Sequence, residues 1–159
     1  MTPRQTAGPQ RGSVNNLSRT IDLLLAKNEV EGVVITSGTN VLEEAAYFFD
    51  LTVRSDKPVI VTGSMHQYGT FTYDGYTNLF SSIRLAASAK TACFGTVVSL
   101  NDQFFSARDV TKADGYRMDT FASHLYGQLG VINEDRIEAP QVPAPALSGG
   151  THGGDTPFV

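Results

Sequence analysis

The sequence predicts an α/β fold: a three-layer αβα sandwich on a mostly parallel sheet, with a terminal β-hairpin. Three observations carry this. "GVVIT" (32–36) and the apolar centre of "KPVIVTG" (57–63) are short and β-branched, the composition of strands buried on both faces, which parallel sheets produce. Segments of helical character follow each of them, so strand and helix alternate along the chain. Beyond Asn101 the pattern changes to short alternating pieces, and "GVINEDRIEAP" has the form of a hairpin around Asn133 to Asp135.

Residues 1–13 contain too little apolar surface to offset the entropy of ordering and are expected to form a disordered or extended leader. Leu17, Ile21, Leu24 and Leu25 follow the i, i+4, i+7, i+8 spacing of an amphipathic helix ending near Asn28. After "GVVIT" a helix is expected from Val41 to about Val53, with Asn40 as N-cap and Glu43 three residues on in a capping-box pattern. The second strand leads into a polar loop, "SMHQYGTFTYDG". A helix from about Tyr76 to Ala89, with Asp74 as a candidate cap, then precedes a third strand, "FGTVVSL". The crossovers between parallel strands are expected to be right-handed. The α/β domain spans 14–138, and from Ala139 proline, glycine, alanine and serine dominate, the composition of a linker-like tail over 139–159.

With 159 residues, 41% hydrophobic and 18% charged, the chain has the make-up of one globular domain. A net charge of -4 with no basic cluster offers a phosphate backbone no electrostatic footprint, so nucleic acid is not an expected partner. No run approaches the ~20 apolar residues of a membrane span, and "MTPRQTAGPQRGS" lacks the apolar centre of a signal peptide. No membrane partner and a cytoplasmic location are expected. The single cysteine, Cys93, excludes an intrachain disulfide and is expected to pack as a small apolar residue. His66, His124 and His152 have no ligand-like spacing, so neither a metal nor another cofactor is expected, and His66 is read as a surface residue.

In open α/β sheets ligands bind at the carboxyl ends of the strands, which gathers "TSGTN", "TGSM" and "SLNDQFFSARDVTK" at one edge. These loops hold Ser37, Thr39, Asn40, Ser64 and Lys112, with Arg108 and Asp109 just before the lysine. A neutral lysine amine beside a threonine can take the hydroxyl proton, making the threonine a nucleophile or a water-orienting group, and that is amide-hydrolysis chemistry. Two blander readings stand beside this one. Lys112 can be a solvated surface lysine, and Gly38 at a helix start can cradle a phosphate.

Five strings in order, "GVVITSGTNVLEEAAYFFDLTV", "KPVIVTGSM", "DGYTNLFSSI", "LNDQFFSARDVTK" and "YGQLGVI", resemble the amino-terminal domain of the bacterial-type L-asparaginases. The resemblance runs from about Gly12 to Val159, and "GGDTPFV" looks like the point where that domain passes into its linker. It implies an amidohydrolase that releases ammonia from the side chain of asparagine, and in some members glutamine, within a homo-oligomer. It implies Thr39 and Lys112 as catalytic residues, and Ser13, Gly38, Asn40 and Ser64 as substrate-binding ones.

The departures are as specific as the matches. No "TGGTI"-like motif, which carries the family's attacking threonine, occurs in these 159 residues, and nothing matches the family's carboxyl-terminal domain. Where the family has an aspartate after the second threonine, to bind the substrate's α-ammonium, this chain has Asn40. A neutral amide forms weaker hydrogen bonds than a carboxylate does. Together these departures imply a chain that is inactive in isolation. The alternative is a catalytically dead remnant, or an interaction module that keeps the fold.

Overall fold

Five consecutive buried residues, Thr96–Leu100, place one strand at the centre of the sheet, with side chains packed on both faces. The computed structural model describes residues 11–139, with side chains from Val14 onward. Its helices are α1 (Arg11–Leu25), α2 (Leu42–Thr52) and α3 (Gly75–Ala86), with a 3-10 turn at Ala92–Phe94. Its strands are β1 (Val33–Thr36), β2 (Val59–Thr62), β3 (Thr96–Leu100), β4 (Gln103–Ser106), β5 (Val110–Lys112), β6 (Phe121–Ser123), β7 (Gly130–Ile132) and β8 (Ile137–Glu138). Six strands form one sheet in the order β1-β2-β3-β4-β7-β8, and β5 with β6 forms a separate ribbon.

The α/β class holds, but the sheet is mixed: β1, β2 and β3 are parallel, whereas β4, β7 and β8 join antiparallel. The reason is local. Asn101 and Asp102 take φ of 51° and 56°, the left-handed pair of a two-residue hairpin turn, so β3 folds straight back as β4 without a helical crossover. The terminal hairpin is β7–β8, closed by Asn133 N–H donating to the Arg136 carbonyl at 2.8 Å.

Alternation along the strands creates two cores. Val59, Val61, Val98, Leu100 and Phe105 face α1 and α2, where Ile21, Leu25, Leu42, Ala46 and Phe49 meet them. Ile60, Val97 and Phe104 face the other way, toward Leu85 of α3 and Ile132 of β7. The helices therefore flank the sheet in three layers. One consequence overturns an expectation. The crossovers β1–α2–β2 and β2–α3–β3 advance in the same direction across parallel strands but on opposite faces, so they have opposite hands, and one is left-handed. The long connection from Gly63 to Asp74 gives the chain the reach to change faces.

Other expectations change in detail. β1 was expected to be buried on both faces, yet Val33, Val34 and Ile35 are half-buried and Thr36 is exposed, because β1 is the edge strand among the described residues. Helix α1 starts at Arg11, so residues 11–13 of the expected leader are helical, since added turns cost little once a helix is anchored. Its buried line is Ser18, Ile21 and Leu25, and Leu17 and Leu24 lie on the flank. Ser18 Oγ donates to Thr52 Oγ1 at 2.8 Å, tying α1 to the end of α2. The leader's first ten residues and the tail from Pro140 lie outside the described residues. Cys93 is exposed rather than packed: on the 3-10 turn it is Phe94 that turns inward, against Phe104, and Cys93 lies on the outer side.

Candidate functional site

The turn after β1 is held in place by its neighbour. Ser37 N–H donates to the Thr62 carbonyl at 2.8 Å, continuing the β1–β2 ladder by one bond. A Cβ on Gly63 would fall 2.5 Å from the Ser37 carbonyl oxygen, so only glycine lets the two turns approach this closely. From this turn Thr39 and Asn40 project toward Lys112 on β5. Lys112 Nζ donates to Thr39 Oγ1 at 2.9 Å and to Asn40 Oδ1 at 3.1 Å. Residues 73 apart in sequence thus meet through one ammonium.

The group that fixes this meeting was read differently from the sequence. Glu43 does not close a capping box: the N-cap of α2 is Val41, without a side-chain cap, and Asn40 turns to Lys112 instead. The Glu43 carboxylate reaches across to β5, where it accepts from the backbone N–H of Lys112 and, at 3.4 Å, from Thr111 Oγ1. It clamps the strand that carries the lysine against the helix that follows the threonine. Glutamates three residues past a turn are ordinary in helices, so only the tertiary pairing reveals this role. With Glu44 it also makes the first turn of α2 acidic, which disfavours a phosphate there and weighs against the phosphate reading of Gly38.

A cleft of about 330 Å³ opens beside the pair, at the carboxyl ends of β1 and β2. Thr36, Ser37 and Gly38 line one side, Thr62, Gly63 and Ser64 the floor, and Tyr73, Gly75, Tyr76 and Leu79 the opposite wall. Gly38 and Ser64 are thus in the cleft, whereas Thr39, Asn40 and Lys112 do not line it: Thr39 follows Gly38 in the chain, and Lys112 reaches Thr39 and Asn40 by hydrogen bonds. Ser13 is in α1, and its side chain lies outside the described residues. Arg108 and Asp109 turn away from the lysine. Arg108 Nε pairs with Asp50 Oδ2 at 2.7 Å, and Asp109 accepts from Ser123 Oγ.

The loop between β2 and α3 is pinned by Asp74, which is buried. Its carboxylate accepts from the N–H groups of Met65 and His66, each at 3.0 Å, and from Asn78 Nδ2 at 2.8 Å. Asn78 in turn donates to the Gly63 carbonyl at 3.0 Å and accepts from Asn101 N–H at 3.0 Å. One buried pair thereby holds the floor and wall of the cleft together. On the wall, Tyr68, Tyr73 and Tyr76 stack edge to face, with centroids 5.2 to 6.3 Å apart. A hydrogen bond with Tyr68 holds the Tyr76 phenol above its ordinary 10.0, with lesser contributions from burial and from Tyr73. His66 Nδ1 lies 2.9 Å from the Thr72 carbonyl and serves the loop itself.

The family model described as "Asparaginase, N-terminal" matches residues 10–144. The chain belongs to the asparaginase family. Its asparaginase amino-terminal domain is 44% identical over 119 residues to L-asparaginase 2 of Bacillus subtilis (strain 168), a match covering 75% of this chain and 32% of that protein. L-asparaginase 2 of Escherichia coli (strain K12) is 40% identical over 131 residues, covering 82% of this chain and 36% of that protein. The glutaminase-asparaginase of Acinetobacter glutaminasificans is 40% identical over 121 residues, covering 76% and 36%. The chain therefore spans about a third of the length of these relatives. Among the described residues of the asparaginase domain, no helix is long and apolar enough to cross a membrane.

Proposed function

We propose that the chain is the amino-terminal part of an L-asparaginase-type amidohydrolase, converting asparagine to aspartate and ammonia, with Thr39 and Lys112 as its proton-handling pair. The observation that carries this reading is the 2.9 Å contact between Lys112 Nζ and Thr39 Oγ1, made beyond the carboxyl end of the parallel strand β1 in a chain of asparaginase ancestry. With the amine neutral, Lys112 takes the proton of the Thr39 hydroxyl, and that oxygen can then draw a proton from an attacking group or from water. Gly38, Asn40 and Ser64, with Ser13, would hold the substrate's charged ends. Relatives named both L-asparaginase and glutaminase-asparaginase support a small amide, asparagine or glutamine, as the substrate class. A homo-oligomer and a cytoplasmic location belong to the same proposal.

The rival reading, a domain that keeps the fold without the activity, is favoured by one residue. Asn40 offers its amide oxygen to the lysine where a carboxylate would supply charge. Both readings agree that the 159-residue chain alone releases no ammonia, and that Asn40→Asp does not restore release, because residues acting as one unit are not regained singly. They separate in a chimera in which residues 14–138 replace the matching part of the Bacillus subtilis protein. The amidohydrolase reading expects ammonia from asparagine, reduced at least ~100-fold by Thr39→Ala or Lys112→Met. A folded chimera without turnover, or one indifferent to Thr39→Ala, would refute it.

A further inference from the structure

Lys112 sits on a strand that the main sheet does not hold. Among the described residues β5 pairs only with β6, and a two-stranded ribbon by itself is marginal in water. Val110 and Phe121 anchor the ribbon in the core shared with Leu42, Ala46 and Phe49 of α2. Apolar packing is non-directional, so it presses the ribbon against α2 without fixing where along the helix each residue stops. A contact as specific as Lys112 Nζ to Thr39 Oγ1 at 2.9 Å needs that stop to be fixed.

Two carboxylates of α2 supply directional grips. Glu43, in the first turn, takes hold of β5 at Thr111 and Lys112. Asp50, in the last turn, takes hold of the connector before β5, where its Oδ2 accepts from Arg108 Nε at 2.7 Å. The Asp50 side chain is only 9% exposed, and its Oδ1 accepts from the Thr96 N–H, at the start of β3, at 3.4 Å. A Cβ on Gly95 would fall 3.2 Å from the same oxygen, so this carboxylate is seated against backbone and Arg108, 39% exposed, is the partner that adjusts to it. Glu43 and Asp50 lie about two turns apart, so they project from one face of α2, roughly 10 Å from each other along its axis. The chain from Arg108 to Thr111 can span a comparable length, at ~3.3 Å per residue. Thr39 stands in the turn that leads into the same helix, so one rigid element is the reference for both the threonine and the strand that carries the lysine.

We propose that Asp50, which bonds to neither Thr39 nor Lys112, is a positioning residue for that pair: through Arg108 it sets where β5 stops along α2, and so where the lysine ammonium meets the threonine hydroxyl. This role bears on catalysis only if Thr39 and Lys112 are the proton-handling pair of the amidohydrolase reading. With Asp50 gone, Glu43 still holds one end of the segment, but the other end is free to slide, and the two hydrogen bonds of Lys112 Nζ are the contacts that such a slide lengthens.

The test is the rate at which an amine-acylating reagent modifies Lys112 in the full 159-residue chain, read by peptide mass spectrometry, with Lys57 and Lys90 as internal references. The variants are Asp50→Ala, Arg108→Gln and the two combined. Asp50→Asn, which keeps the shape of the side chain, serves where the alanine variant fails to fold. Each single substitution should speed Lys112 acylation at least ~3-fold, because the amine loses its fixed acceptors, and the double variant should add nothing to that. In a Thr39→Ala, Asn40→Ala background Lys112 has lost both acceptors, so a substitution at Asp50 should change its rate by less than ~1.5-fold. A merely structural role for Asp50 gives the same acceleration in both backgrounds, and general loosening speeds Lys57 and Lys90 as well; either result overturns the proposal, as does an unchanged Lys112 rate. Turnover is read apart from this, in the chimera. A folded, inert chimera with the expected Lys112 rates would remove the amidohydrolase reading and leave the control of the Lys112–Thr39 contact by Asp50 standing, whereas an active chimera with unchanged Lys112 rates would remove only the positioning role.

Discussion

Replacing Glu43 by alanine removes the carboxylate that joins the first turn of α2 to β5. Two hydrogen bonds are lost, from the Lys112 N–H and, at 3.4 Å, from Thr111 Oγ1. A bond to a charged acceptor contributes about 1.5–3 kcal/mol net, and the second contact, near the distance limit, adds little. Glu43 is only partly buried, so water partly replaces it at the exposed N–H, and the lower half of that range applies. Loss of a favourable charge at a helix N-terminus adds a few tenths of a kcal/mol, which alanine's better helix propensity offsets. The expected cost is about 2 kcal/mol, equivalent to roughly 6 °C in Tm for a domain of this size. Glu43→Gln keeps an acceptor and should cost about half as much. Asn40→Ala should cost under ~0.5 kcal/mol, because the amide is exposed and caps no helix. Urea denaturation followed by circular dichroism measures all three. Acylation of Lys112 by an amine reagent, read by mass spectrometry, should be faster in Glu43→Ala because β5 is no longer clamped. A Glu43→Ala protein within ~0.5 kcal/mol of the parent, or an Asn40→Ala loss of the ~1 kcal/mol typical of a cap, would sink the clamp argument and reinstate the capping box.

Asp74→Ala strips partners from two backbone N–H groups and the buried Asn78 amide, so it should cost about 3 kcal/mol, with Asn78→Ala similar and the double variant less than additive; calorimetry on the three checks this. Acid should act first at the tip between β5 and β6. There hydrogen bonds from the Tyr116 and Arg117 N–H groups, and more weakly the Arg117 charge, hold the Asp114 carboxyl below its ordinary 3.8. Because the folded value is depressed, its contribution is present above pH 3.8 and lost as pH falls through the lower folded value. Below pH 3.8, amide exchange at Tyr116 and Arg117, corrected for intrinsic rates, should accelerate before that of β3; uniform loss across the sheet would contradict this.

The sequence by itself determined which segments become β1, β2, β3 and the three helices, because β-branched apolar runs and helical periodicity are local signals that need no partner to be read. It also marked residues that come together: Thr39, Asn40 and Lys112 were singled out from loop position and residue type, and they meet at Lys112 Nζ. Tertiary structure decided what depends on the far side of a contact. A left-handed Asn101–Asp102 pair folded β4 back antiparallel, so that the sheet, expected to be mostly parallel, is parallel in β1–β3 and antiparallel beyond. The choice of face for α3 set one crossover against the usual hand. Glu43 had two legitimate partners, its own helix start and β5, and only the fold could choose, since a cap is worth about as much as a tertiary hydrogen bond. Apolar residues on α3 look like core residues in sequence, but the sheet side was filled by Asn78, Ser81 and Ser82, which Asp74, Gly63 and Asn101 make possible by meeting both amide atoms of Asn78. Hydrophobic patterning states how much apolar surface a helix has; which half of it faces the core is settled by the partners its polar half can find.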